Sequence, residues 1–305
     1  FCAKSRRYNF TIMFFKLFKK INSVLFGKNL GRIPGARRLH SFLYNFLRPK
    51  REAAFNVNGF KMFLNPQDQG EVKDILLRGV YDELESGTIK KKLRAGDTAL
   101  DIGAHIGYFT LLMASAVGEK GKVYAFEPEP KNFALLSRNV EANKFQNIIL
   151  SSHALSSVSG KTKLFLDKDN LGNMSFSEFN IPNSSRSGAL EIETKTLDEF
   201  AKKIGERIGF IKIDVQGAEG LVFSGGWEIL RKDKPTILME FWPYGLKNNG
   251  THPFEFLSEL SALGYYFWVL HTKEKSLKLK SPEELMSVAR NRPEDKGWAN
   301  ILCQT

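Results

Sequence analysis

Cysteine is almost missing from this chain: among 305 residues only Cys2 and Cys303 occur, and no C-x-x-C spacing is present. That excludes a disulfide framework and a thiolate metal site as organising devices, and it fits a reducing compartment. Internal repeats and low-complexity tracts are absent as well. The apolar pattern near the amino terminus is too short between charges for the roughly 20 residues that a bilayer span requires. Lys4, Arg6 and Arg7 followed by Tyr8–Phe15 imitate a signal peptide, but Asn9 and Thr11 interrupt it and no A-x-A-like site follows. A cytoplasmic chain, at most peripheral to a membrane, is the expectation.

Against those absences stand a 42% hydrophobic content and a length that suit one large α/β domain with additions, or two small domains. The formal charge of +12 and pI near 9.5 favour anionic partners, whether lipid surfaces, acidic glycans or nucleic acid, without choosing among them. Phe14, Leu17, Phe18, Ile21, Val24 and Leu25 repeat at helical spacing, with Lys16, Lys19 and Lys20 on the other side. Such a basic amphipathic helix within residues 13–28 either touches an anionic membrane weakly or docks its apolar face on the main domain. Met13 opens the pattern, which leaves residues 1–12 readable as an upstream extension.

In FNVNGFKMFL (55–64), Asn58-Gly59 separates two strand-like runs, the pair that a two-residue type I′ turn favours. One helical stretch is expected over roughly 71–94. After it the pattern alternates. TALDIG (98–103), KVYAFE (122–127), IILSSHAL (148–155), FIKIDV (210–215) and TILMEF (236–241) read as short buried strands, with helical patterns over 107–117, 130–144, 197–206 and 218–230. This alternation predicts an α/β fold with a doubly wound, parallel sheet covered by helices on both faces. Its ligand crevice opens at the carboxyl ends of the strands. A helix over 254–263 and two strand-like runs, YYFWVLHT (265–272) and WANILCQT (298–305), close the chain.

The end of the first of these strands carries the densest chemistry. In DIGAHIG, beginning at Asp101, Gly103 and Gly107 permit a tight turn and bring backbone amides near a ligand at a helix start. Asp101 precedes the glycines, where a pyrophosphate has little use for a carboxylate and a cationic ligand gains from one. His105 stands where G-x-G-x-x-G has a close-approach glycine, which argues against a dinucleotide. Twenty residues beyond Gly107, Glu127 ends the second strand, where an acid can accept both hydroxyls of a ribose. A nucleoside with a cationic tail suits both acids, and S-adenosylmethionine is such a ligand.

DIGAHIGYFT, AFEPEPKNFALLSRNVEAN, HALSSVSGKTKLFL, TLDEF and FIKIDVQGAEGLVFSG follow one another as in the FkbM-type S-adenosylmethionine-dependent methyltransferases, which this chain resembles from about Asn65 to its carboxyl terminus. K-I-D-V-Q-G-A-E is the most specific block. The resemblance implies a Rossmann-like methyltransferase fold, mostly parallel with an antiparallel last strand, and O-methylation of a hydroxyl on a sugar, glycan, glycolipid or natural product. It leaves a basic amphipathic extension (1–50), a hairpin and helical lead-in (51–95) and a methyltransferase domain (96–305). Cofactor contacts are expected at Asp101, Gly103, Ala104, His105, Gly107, Glu127, Pro128, Ala154 and Asp214, with Ala154 at the adenine position. Asn173, Met174 and Ser175 match the family's loop over the site. His105 stands where the family often has Asn; Gln216 stands where it often has Glu, which removes a carboxylate there.

Methyl transfer from a sulfonium is an in-line displacement, so positioning supplies much of the catalysis. A hydroxyl acceptor must also lose its proton, which calls for a base within reach. Asp214, at the fourth strand end, and Glu219, near the following helix start, are the candidates, and His153 ranks next. Glu219 is also suited to stabilise a helix amino terminus. Strand alternation puts Lys212 on the face of Asp214, where it is expected to neutralise buried carboxylate charge, reaching toward Asp101. Asp214, Glu219 and Glu240 are hard oxygen ligands, but three scattered carboxylates make no metal motif, and no metal is assigned. A nucleic-acid methyltransferase would explain the basic charge, yet no zinc knuckle, RNA-binding module or N-P-P-Y-like motif is present. The other rival is a non-catalytic S-adenosylmethionine-binding protein that docks on membranes.

Overall fold

The structure, a computed structural model, describes Phe14, Phe15, Phe18 and residues 36–271, 274, 276–290 and 297–305. The backbone divides into two compact units, Phe1–Tyr81 and Asp82–Thr305.

In the first unit, helix α1 (Ala36–Leu47) precedes a hairpin of β1 (Ala53–Val57) and β2 (Phe60–Leu64), then α2 (Glu71–Arg78). Asn58 and Gly59 both take positive φ, 50° and 91°, and Val57 pairs with Phe60, as the type I′ reading requires. The helix expected over 71–94 is two helices. Gly79 closes α2 in the left-handed conformation and donates its N–H to Ile75 O. A new helix, α3 (Glu83–Lys92), begins in the second unit, where Asp82 Oδ1 caps it by accepting from the amides of Leu84 and Glu85. Phe14, Phe15 and Phe18 are helical; the rest of the expected helix within 13–28 lies outside the described residues.

The second unit is built on an eight-stranded sheet. In chain order its strands are β3 (Thr98–Ile102), β4 (Lys122–Phe126), β5 (Ile148–Ser151), β9 (Phe210–Ile213), β10 (Thr236–Phe241), β11 (Tyr266–His271), β12 (Ser276–Lys280) and β13 (Ala299–Gln304). In space they run β12-β11-β13-β10-β9-β3-β4-β5. The block from β10 to β5 is parallel, and β13 inserts antiparallel between β10 and β11. That is the Rossmann-like methyltransferase arrangement with its reversed last strand. Leu100, Ile102, Ile211, Ile213, Ile237, Met239 and Ile301 are buried, which is why these strands read as continuous apolar runs. Helices α4 (Tyr108–Val117) and α5 (Pro130–Asn143) follow β3 and β4, and α6 (Leu197–Ile204) leads into β9.

Two further expectations change. IILSSHAL is not one strand: β5 stops at Ser151, and Ala154–Leu155 form β6 in a separate three-stranded sheet with β7 (Gly160–Asp167) and β8 (Arg186–Lys195). The chain changes sheet across Ser152 and His153, where Ser151 Oγ accepts the His153 amide. The helix expected over 218–230 divides into α7 (Glu219–Ser224) and α8 (Trp227–Asp233). The break falls at Gly225-Gly226, where the backbone is pressed against its surroundings. A Cβ on Gly225 would lie 2.3 Å from Ser156 O, and one on Gly226 2.6 Å from Leu197 Cδ2. β12, the lysine-rich SLKLK, which no expectation covered, lies at the sheet edge, where charge discourages further strand pairing. No described helix is long and apolar enough to cross a membrane.

Candidate active site

The parallel strands end in three turns that together build a pocket. At the end of β3 the amides of Gly103 and Ala104 both donate to Phe126 O, at 3.0 and 2.9 Å, tying this turn to the end of β4. Gly103 has φ +84°, and a Cβ there would lie 2.0 Å from Asp214 O, so β3 and β9 meet at their ends only because this residue lacks a side chain. Gly107, φ +91°, starts α4 and leaves room for Leu136, whose Cδ1 would be 2.6 Å from an added Cβ.

Glu127 follows β4 and is buried. Its Oε2 accepts the His105 amide and its Oε1 the Glu129 amide, each at 2.9 Å. Burial pushes its carboxyl up to about 7 against the relief that these contacts and the nearby His105 provide. Glu129 caps α5 through the Asn132 amide at 2.7 Å, with Pro130 at the first turn. This fixes Asn132. Its Nδ2 donates to Leu171 O at 3.0 Å, which sets the orientation of the amide, while its buried Oδ1 accepts no hydrogen bond.

After β9 the chain turns through Gln216 and Gly217, at φ 52° and 91°. Glu219 holds this turn: its buried Oε1 accepts the amides of Val215 and Gly217, at 3.1 and 3.4 Å. Burial raises its carboxyl to about 7, and Asp214 adds to the rise. Gln216 O accepts from Ser175 Oγ and Asn180 Nδ2, both at 2.9 Å, so the segment after β7 is pinned to the turn.

The resulting pocket has about 570 Å³ of empty space, solvent at its mouth included. Ile102, Gly103, His105, Phe126, Glu127 and Pro128 form one side; Ala154, Leu155 and Leu164 an apolar wall; Asp214, Val215 and Gln216 another. Asn132, Leu171, Gly172, Met174 and Phe176 complete it. The pocket thus brings together Gly103, His105, Glu127, Pro128, Ala154 and Asp214 of the expected residues. Asp101, Ala104, Gly107, Glu219 and His153 are not in its lining. Asp101 is buried and accepts from Thr110 Oγ1 at 2.6 Å, and Ala104 is buried too. His153 faces Glu193 through Nε2, at 3.2 Å, and Ser151 Oγ through Nδ1, also at 3.2 Å.

Asp214 lies at the edge of the pocket with its side chain 31% exposed, accepting from Gln216 Nε2 at 2.7 Å and Lys212 Nζ at 3.3 Å. Lys212 is buried, with its Nζ 4.8 Å from the centre of the Phe109 ring, and in register it stands beside Asp101. One row further, the pairing of Met239 with Ile213 places Glu240 next to Asp214 on the same sheet face. Burial raises the Glu240 carboxyl well above the usual range, and the charges of Asp214, Glu219 and Glu85 raise it further against Lys212. Sequence reasoning considered Glu240 only as a metal ligand. The signal for more was an acid closing the apolar run TILMEF beside the Asp214 strand. Among the described residues no three His, Cys, Asp or Glu side chains gather as a metal site.

The chain is similar to known methyltransferases. Residues 101–267, over half of the chain, match the family described as "Methyltransferase FkbM domain". The "Probable cobalt-precorrin-6B C(15)-methyltransferase (decarboxylating)" of Sulfolobus acidocaldarius is 27% identical over 159 residues, 49% of this chain and 82% of that protein. "Methyltransferase 1" of Beauveria bassiana is 25% identical over 190 residues, 55% of this chain and 73% of that protein. Among solved structures, the methyltransferase FkbM of Methylobacillus flagellatus aligns with a TM-score of 0.42 and 14% identity, covering 77% of this chain and 52% of that one. On the family match, the chain belongs to the FkbM family of S-adenosylmethionine-dependent methyltransferases.

Proposed function

We propose that this enzyme O-methylates a hydroxyl of a sugar, glycan, glycolipid or natural product, with Asp214 accepting the proton. The observation that carries the reading is the carboxylate edge of the pocket, Asp214 in its lining with Glu240 beside it. When bound, S-adenosylmethionine supplies an electrophilic methyl group on its sulfonium. The residues present fit it. Glu127 offers a carboxylate for ribose hydroxyls, the Gly103–His105 backbone admits a close ligand, and Ala154 with Leu155 gives a flat apolar wall for a base. Asn132 Oδ1, buried in the lining and without a partner, calls for a ligand N–H or O–H.

The residues outside the lining serve the frame. Glu219 supports the turn that carries Gln216, and Lys212 balances Asp214. Two carboxylates compete for the acceptor's proton: Glu240 has the raised proton affinity, Asp214 the position in the pocket. Access to the pocket comes first, and Asp214 lines it whereas Glu240 does not, which favours Asp214.

A methyl-transfer screen using tritiated cofactor against glycans, glycolipids, hydroxylated small molecules and RNA tests the reading. Transfer to a hydroxyl acceptor is expected, with Asp214→Asn lowering turnover by about 10²–10⁴ while the fold is kept. Transfer to RNA alone, or parental turnover of Asp214→Asn across the pH range, overturns it.

A further inference from the structure

We infer that α1 is a peripheral docking surface for an anionic lipid bilayer, a role independent of which acceptor the enzyme methylates. Leu39, Phe42 and Phe46 are 60%, 65% and 69% exposed. At 100° per residue they fall within a 60° sector of one helix face. The Phe42 and Phe46 rings stack, 6.2 Å apart at 11°, so the exposed stripe is continuous along two turns. The face turned away from it is already occupied: Tyr44 is buried, its ring 6.0 Å from Phe15, and His40 lies 5.6 Å from Phe18. The stripe is therefore not the core-facing side of an ordinary amphipathic helix. Three large apolar side chains held in water at one spot are the mark of a binding surface.

Charge identifies the partner. Thirteen of the 45 lysines and arginines and one of the 33 acidic residues lie in the first 52 positions. That stretch carries +12, equal to the formal net charge of the whole chain, and the remaining residues balance to zero. Arg38 is exposed at the near end of the stripe, and Lys50 and Arg51 are exposed just beyond the carboxyl end of α1. An apolar stripe flanked by cations is suited to the boundary between acidic headgroups and acyl chains, where phenyl rings enter and guanidinium and ammonium groups stay with phosphate. Each basic residue near such a surface adds roughly five-fold to partitioning. A second copy of the chain would bring two such charged stretches together, and a nucleic acid would leave the apolar stripe unused.

The test uses the full chain and vesicles of phosphatidylcholine with one-third phosphatidylglycerol, compared with phosphatidylcholine alone. Preferential binding to the anionic vesicles that falls at least ten-fold in 0.5 M salt is expected. Leu39→Gln/Phe42→Gln/Phe46→Gln and, separately, Arg38→Glu/Lys50→Glu/Arg51→Glu should each lower partitioning at least ten-fold, with unchanged melting and cofactor affinity. If the first variant does not fold, the charge variant decides alone. Equal partitioning of the charge variant and the parent overturns the inference. So does loss of a dimer in the apolar variant with no change on vesicles, or salt-sensitive binding to single-stranded RNA without binding to anionic vesicles.

Discussion

If Glu127 takes the ribose hydroxyls, cofactor binding must depend on pH through this one carboxyl. The group is buried, and its carboxyl is raised to about 7. Only the ionised carboxylate can accept both its backbone amides and two ligand hydroxyls, so binding selects that form. The folded protein holds the proton as pH falls below about 7, and apparent affinity drops with it. For a single site at that value, affinity near pH 5.5 should be about 30-fold weaker than near pH 8. Isothermal titration in buffers of different ionisation enthalpy should also register close to one proton released per ligand bound near pH 6. Glu127→Gln supplies the control, because it keeps any titration of the ligand's own groups. Its amide NH₂ must face one of the two backbone donors that the carboxylate accepts, so affinity should fall by about 1.5–3 kcal/mol at pH 8 and lose the 30-fold dependence. A parental dissociation constant that is flat from pH 5.5 to 8, or a Glu127→Gln curve parallel to the parent's, refutes the assignment of Glu127 to the cofactor.

Gly103→Ala places a methyl 2.0 Å from Asp214 O at φ +84°. It should cost at least about 2 kcal/mol of stability and a tenfold or larger loss of cofactor affinity, measured by urea unfolding and calorimetry; unchanged values would mean that β3 and β9 do not meet there. Glu219→Gln removes a buried carboxyl raised to about 7. In the parent that group makes stability fall as pH rises from about 4.5 to 7, so the variant should gain on the parent by about 2–3 kcal/mol between pH 5 and 8 in urea titrations; a constant difference across that range counts against a buried, titrating Glu219. Lys212→Met strands the carboxylates around it. Because Asp214 is 31% exposed and solvent relieves part of its charge, the expected loss is about 2–4 kcal/mol rather than the full cost of a sealed pair. A melting temperature within a degree of the parent's would deny Lys212 that role.

The sheet was legible because the central parallel strands are buried on both faces and are therefore mostly apolar, as in TALDI, KVYAF and TILMEF, where Asp101, Lys122 and Glu240 are the charged exceptions. The hairpin of β7 and β8 was not, because few of its residues are buried. Lys161 and Lys163 alternate with half-buried neighbours, and Leu164 and Ile192 supply most of what the small sheet packs against Ala154. Helix breaks at Gly79 and Gly225-Gly226 were invisible for another reason: a glycine within a helical pattern reads as a tolerated defect until its conformation or its neighbours are seen. Gly79 has a left-handed φ of 78°, and Ser156 O and the Leu197 side chain lie against Gly225 and Gly226.

The site shows the same division. Glu127 was readable because the end of a second parallel strand faces the crevice whatever the details. Asn132 was not, since its meaning depends on Leu171, 39 residues away, holding one end of its amide and leaving the other end bare. Gln216 was noted for the carboxylate it lacks, but its position in the pocket wall follows from Glu219 holding the turn beneath it. Asp101 and Gly107, the residues that made the loop conspicuous, turn inward. One receives the Thr110 hydroxyl and the other makes room for Leu136, so a charged or backbone-permissive residue in a motif can be required by the frame that positions a ligand as much as by the ligand itself.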